Sequence, residues 1–157
     1  MIVKKIIDED FSNYKKPSMF ICAPRCTMKC GEGVCQNSPW LKMPDIEIDN
    51  FDIIDRYENN SLTKAIVIGG LESLDLWDDL CKFIIDFRTD YHSGRDDDIV
   101  IYTGYNKDEI TDKINILWHF DNIIIKYGRY IPNQEPHYDE VLGVYLASDN
   151  QYAERIN

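Results

Sequence analysis

Apolar residues in this chain gather in short unbroken runs, and between the runs they recur at helical spacing. Met19-Phe20-Ile21, Ala65-Ile66-Val67-Ile68, Ile99-Val100-Ile101-Tyr102 and Ile123-Ile124-Ile125 are too short for helices. They are also continuous where a half-exposed strand would alternate, so they predict strands buried on both faces. The second, third and fourth runs stop at Gly69-Gly70, Thr103-Gly104 and Gly128. After the second run, Leu74, Trp77, Leu80, Cys81, Ile84 and Phe87 predict a helix, with Ser73 as its N-cap and Asp75 in its first turn. Ser93-Gly94 and Asp96 to Asp98 break that helix. Asn106 opens another, with Glu109 three residues on as a capping-box partner and Ile110, Ile114 and Leu117 as its inner face. Ile46 to Asn60 predicts a helix over its second half, and the first 16 residues add a strand. Pro132 to Asn157 is weakly periodic and reads as ordered coil with one short strand from Val141 to Leu146. Strands alternating with helices imply βαβ units, hence an α/β fold with a mainly parallel sheet and flanking helices. No internal repeat or low-complexity linker divides the chain, so residues 1–157 read as one domain.

Composition narrows the function. A chain of 157 residues, 44% hydrophobic and with ten tyrosines, can bury a substantial core and is not a disordered segment. A net charge of −11 argues against nucleic acid held through its phosphates, which needs a basic face. No apolar run approaches the roughly 18 residues of a membrane span. Met1 to Ile7 is too short and too soon acidic for a signal peptide, so the expected compartment is the cytoplasm, where thiols stay reduced. Five cysteines, an odd number, suit free or metal-bound thiols better than a disulfide framework.

Four of these thiols crowd the segment after the first buried run: Cys22-x3-Cys26-x3-Cys30-x4-Cys35. Such spacing on one loop suits a metal or iron–sulfur cluster, and strand ends are where open α/β sheets place their chemistry. A structural zinc site prefers two close CxxC pairs, and none is present. His92, His119 and His137 are all distant in sequence. A zinc site with Cys22 as fourth ligand stays open, as do thiols that merely pack. Cys81, on the apolar face of a helix, reads as core.

The loop resembles that of radical S-adenosylmethionine enzymes, especially the activating proteins of anaerobic (class III) ribonucleotide reductases. Cys26-x3-Cys30 matches the first spacing of their C-x3-C-x2-C motif, and Cys35-Gln36-Asn37-Ser38-Pro39-Trp40 resembles the polar, Trp-terminated segment that follows it. Gly31 to Val34 puts four residues where that family has two. A second register, Cys22-Cys26-Cys30, therefore stays open beside the preferred Cys26, Cys30 and Cys35. Four further segments follow in the same order. Ile66 to Glu72 resembles the glycine-rich motif at the methionine end of the cofactor, with Leu71 inserted and Ser73 in place of a proline. Asp98 to Tyr105, with Asp108-Glu109, resembles a strand ending in Trp-Thr-Gly-Tyr. Ile124 to Tyr130 resembles Val-Leu-Val-Asp-Gly-Lys-Phe, with Tyr127 where the aspartate stands. Ala147 to Gln151 resembles Gly-Ser-Ser-Asn-Gln.

The resemblance implies a partial (open) βα barrel of the radical S-adenosylmethionine type, carrying a 4Fe-4S cluster on Cys26, Cys30 and Cys35. Three thiolates leave one iron for an outside ligand, which the resemblance makes S-adenosyl-L-methionine. The cofactor would lie against Gly69, Gly70, Glu72, Thr103, Gly104 and Asn150. The implied partners are a glycyl radical enzyme, above all the large subunit of an anaerobic ribonucleotide reductase, and an electron donor such as flavodoxin. Each residue has a plainer role beside this one. The glycine pair and Thr103-Gly104 suit ordinary strand-to-helix turns, Glu72 a solvent-facing acid in a first helical turn, and Asn150 a solvated tail amide. Three functions follow: an activase acting on a protein glycine, a radical enzyme acting on a small molecule or peptide, and a non-catalytic iron–sulfur or zinc-binding module. The short chain, with few extra elements to build a substrate pocket, favours the first.

Overall fold

The computed structural model describes residues 1–31, 33–89 and 96–157. In chain order the elements are β1 (Ile2–Val3), β2 (Lys5–Asp10), β3 (Ser18–Cys22), β4 (Ile46–Glu47), α1 (Asn50–Glu58), β5 (Ala65–Gly69), α2 (Trp77–Thr89), β6 (Asp98–Tyr102), α3 (Thr111–Leu117), β7 (Ile123–Tyr127), β8 (His137–Asp139), β9 (Val144–Leu146) and β10 (Tyr152–Arg155). The main sheet has the order β10-β7-β6-β5-β3-β2. Its four central strands β3, β5, β6 and β7 are parallel, and β2 and β10 run antiparallel at the two edges.

The four continuous apolar runs form the four parallel strands, and nearly every residue in them is buried. Alternate side chains go to opposite faces. On one face Met19, Ile21, Ile66, Ile68, Ile99, Ile101, Ile123 and Ile125 pack with Ile53, Ile54, Leu80, Phe83, Ile84, Phe87 and Leu117 from the three helices. On the other, Phe20, Cys22, Val67, Val100 and Ile124 are covered by Tyr14, Leu142 and Leu146, with Trp40 and Tyr102 beside them. All three described α-helices therefore lie against one face, and loops and the β8–β9 hairpin cover the other.

Several local expectations are corrected. Glu72, not Ser73, caps the helical segment after β5: its carboxylate accepts from the Leu74 amide, and the first turn, Ser73–Leu76, is 3-10. The Ser73 hydroxyl instead donates to the carbonyls of Ile68 and Tyr102, tying β5 to β6. Cys81 is half-buried, and the buried face of that helix is made by Leu80, Phe83, Ile84 and Phe87. The segment opened by Asn106 also begins as a 3-10 turn, with the Glu109 carboxylate accepting from the Asn106 amide at 2.8 Å. Pro132 to Asn157 holds three strands rather than one, the last of which joins the main sheet. Ser93 and Gly94, expected to end the long helix, lie outside the described residues. No helix among the described residues is long and apolar enough to cross a membrane.

Candidate functional site

The parallel register brings four strand ends into one row. Cys22 pairs with Gly69, Ile68 with Ile101 and Tyr102 with Lys126. The loops leaving these ends are tied to one another. The Ala23 amide donates to Gly69 O at 2.8 Å, the Glu72 amide to Arg25 O at 2.8 Å, and the Thr27 amide to the Asp75 carboxylate at 2.9 Å. The Asn37 side-chain amide donates to Gly70 O at 2.6 Å, and the Lys4 ammonium reaches Met43 O at 2.6 Å and Asp45 at 2.7 Å. The cysteine loop is thus pinned to the end of β5 on one side and to the first strands on the other.

These ties leave one pocket at the strand ends, about 140 Å³ in volume, whose lining includes Cys26, Cys30, Cys35, Gly70, Glu72 and Lys126. All three thiols are half-buried. Cys30 lies near Cys35 and Cys26; burial first, then these neighbours, push its thiol up to about 11. Burial likewise raises Cys26, whose Sγ accepts from the Met28 amide at 3.3 Å. Cys22 is fully buried among Phe20 and Trp40, is pushed up to about 12 by burial, and does not line the pocket. Among the described residues, no three His, Cys, Asp or Glu side chains are gathered as a single bound ion would need.

Glu72 sits at the centre of the arrangement, 7% exposed. One carboxylate oxygen accepts from the Thr103 hydroxyl at 2.7 Å and the Leu74 amide at 3.2 Å, the other from the Gly104 amide at 2.8 Å. Burial raises its pKa against the pull of those three donors. Thr103 and Gly104 thereby hold the carboxylate in place, and all three line the pocket. A Cβ on Gly104 would meet the carboxylate at 3.4 Å, an ordinary van der Waals contact.

Gly69 and Asn150 take other places. A Cβ on Gly69 would lie 2.9 Å from the Tyr102 Cβ, so this glycine makes room for Tyr102. The Asn150 side chain donates to Arg129 O at 2.8 Å, and its own carbonyl packs against Gly128, where φ is 94°. Neither residue lines the pocket, whereas the neighbouring Gln151 does, with its side-chain amide on Gly128 O at 3.2 Å. Sequence reasoning passed over Lys126 and gave Arg129 no pocket role; both line it. For Lys126 the signal was present: a lysine closing an otherwise apolar buried run.

Comparison with family models, with curated proteins and with solved structures finds no match to this chain. The functional reading therefore stands on the geometry of this pocket and on the motifs that line it.

Proposed function

We propose that this chain is a radical S-adenosylmethionine activase, which binds a 4Fe-4S cluster and S-adenosyl-L-methionine in this pocket and generates a glycyl radical on a partner enzyme. The observation that carries the reading is that three half-buried thiols and a buried, hydrogen-bonded carboxylate line one pocket at the ends of parallel strands. The donor set fits the cluster: Cys26, Cys30 and Cys35 supply three thiolates, which leaves one iron for an outside ligand. A bound, reduced cluster would supply the one electron needed to break the sulfonium C–S bond, giving methionine and a 5′-deoxyadenosyl radical. The chain's own residues bind, orient and shield. Glu72, fixed by Thr103 and Gly104, offers its carboxylate to a ligand ammonium. Gly70 brings bare backbone to the pocket wall.

The helices on one face only, and a parallel sheet whose strand ends line the site, support a partial βα barrel. The pocket's size supports a protein substrate. Clefts that bury most of a drug-sized ligand run to about 300–1,000 Å³, and this one is about 140 Å³. A nucleoside sulfonium would stay partly uncovered, open to a glycine loop brought by a partner such as the large subunit of an anaerobic ribonucleotide reductase. The glycine would give a Cα hydrogen to the radical, leaving 5′-deoxyadenosine. A cytoplasmic setting and a flavodoxin-like electron donor belong to the same proposal.

Reconstitution without oxygen tests this directly. About one four-iron cluster should assemble, be lost in Cys26→Ala, Cys30→Ala and Cys35→Ala, and survive in Cys22→Ala and Cys81→Ala. On reduction it should release 5′-deoxyadenosine from S-adenosylmethionine, and with the partner present give a glycyl radical doublet by electron paramagnetic resonance. An intact cluster that cleaves nothing under reduction sinks the enzyme reading.

A further inference from the structure

Lys126 stands in the run Ile123-Ile124-Ile125-Lys126-Tyr127, and all five residues are buried. Strand alternation sends Ile124 and Lys126 to the face that also carries Phe20, Val67 and Val100. The lysine is 6% exposed, lines the pocket, and has its Nζ 5.8 Å from the centroid of the Tyr102 ring. An ammonium has three N–H donors; this one gives a bond to Gly128 O at 3.0 Å. Among the described residues, no carboxylate lies within ion-pair distance of it. Glu72 is close enough to favour its charge but makes no ion pair with it, its carboxylate accepting from Thr103, Gly104 and Leu74.

A buried cation with donors to spare and no carboxylate in contact with it is costly. Burial lowers its pKa to about 8, which leaves it mostly charged at pH 7. Lys29, over the Tyr105 ring, adds to the positive field of the pocket, while the charge of Arg129, also in the lining, is largely met by Glu109. Among the described residues, Glu72 is the one acidic side chain of the lining. The pocket is thus built to receive negative charge at its β7 side.

We propose that Lys126 is a specificity residue that binds a carboxylate on the molecule held in the pocket. The proposal rests on reading the pocket as the S-adenosylmethionine site. The carboxylate has two sources, the amino-acid end of that cofactor or an acidic group on the molecule it acts on. In the resembled Val-Leu-Val-Asp-Gly-Lys-Phe segment a valine stands at this position, so the cation belongs to this chain.

The test uses the reconstituted, oxidised protein with lysine labelled at Cε, the Lys126 resonance being the one lost in Lys126→Met. Its titration is followed with S-adenosylmethionine, the decarboxylated analogue, triglycine and triglycine amide, and calorimetry reports binding of each. A carboxylate-bearing probe should raise the midpoint by about one unit or more, while its carboxylate-free counterpart leaves it in place. Lys126→Met should weaken that same probe about tenfold or more, and Lys126→Arg should restore part of the loss. A response to S-adenosylmethionine but not to its decarboxylated form assigns the carboxylate to the cofactor. A response to triglycine but not to the amide assigns it to the second molecule. A midpoint that none of the four probes moves overturns the proposal. Failure of S-adenosylmethionine to bind the wild type is a different result: it removes the cofactor reading and leaves Lys126 to be judged on the triglycine pair.

Discussion

At Gly70 the backbone takes a φ of 80°, and a Cβ there would lie 2.6 Å from Cys22 Sγ and 3.2 Å from the Trp40 ring. The glycine is therefore required by the interior as much as by the pocket, because its missing side chain would enter the space of a core thiol. Gly70→Ala should cost about 1–3 kcal/mol, from the left-handed backbone and the overpacking together. Cys22→Ala in the same chain should return part of that loss by removing the sulfur, with the backbone strain left behind. Urea unfolding of the two single variants and the double variant measures the coupling; strict additivity would show that the thiol is not what the new methyl meets. Gly-Gly after a buried run was legible as a strand end. Its closeness to Cys22 was not, because that contact depends on β3 lying beside β5. The same limit explains Glu72. An acid after the glycine pair could be read, but not that Thr103 and Gly104, some thirty residues on, would hold it.

The edge strand β10 shows how an element escapes sequence reading. Of Tyr152 to Arg155 only Ala153 is buried, so no run or clean alternation marks the strand. It forms because β7 offers a free edge and because distant groups fasten it. The Ala153 amide donates to the Asp139 carboxylate at 2.9 Å, and Arg155 reaches Asp98 at 2.5 Å. Asp98 opens β6, is 2% exposed, and also takes Lys16 at 2.5 Å and the Tyr14 hydroxyl at 2.9 Å. Burial alone would raise its pKa, but Lys16, Arg155 and Tyr14 together pull it below the ordinary 3.8. A carboxyl with a lowered folded pKa stabilises the fold fully above its unfolded value and loses that contribution as pH falls through the folded one. Asp98→Asn should thus cost about 1–3 kcal/mol at pH 7. The gap between variant and wild type should close only below about pH 4. Unfolding followed across pH checks this, and a gap unchanged down to pH 2 would remove the carboxylate's charge as its cause. The four central strands, by contrast, were legible because burial on both faces writes itself as an unbroken apolar run.

Over the whole molecule, 28 acidic residues face 17 basic ones, for a net charge of −11, while among the described residues the pocket lining carries Lys29, Lys126 and Arg129 against Glu72 alone. Charge is thus divided between a negative body and a locally positive site. That division was not legible along the chain, since Lys29, Lys126 and Arg129 come together only when the β3 loop and the end of β7 meet across the sheet. The division has a kinetic consequence for the proposed partner. A docking protein meets the body's field at distances near the Debye length, about 10 Å at 0.1 M salt, before any contact forms. A partner carrying a basic patch around its glycine loop would be drawn in by that field, and attraction of this kind acts mainly on the association rate. The rate should therefore fall by about tenfold or more between 0.05 and 0.5 M salt, with dissociation changing much less. Binding of the small cofactor, governed by groups inside the pocket, should change less over the same range, because buried charges are screened less than exposed ones. Stopped-flow association of the two proteins, run beside calorimetry with S-adenosylmethionine at each salt concentration, separates the two fields. An association rate that stays flat while cofactor affinity collapses would show that the negative body does no steering, and that the partner docks on neutral surface.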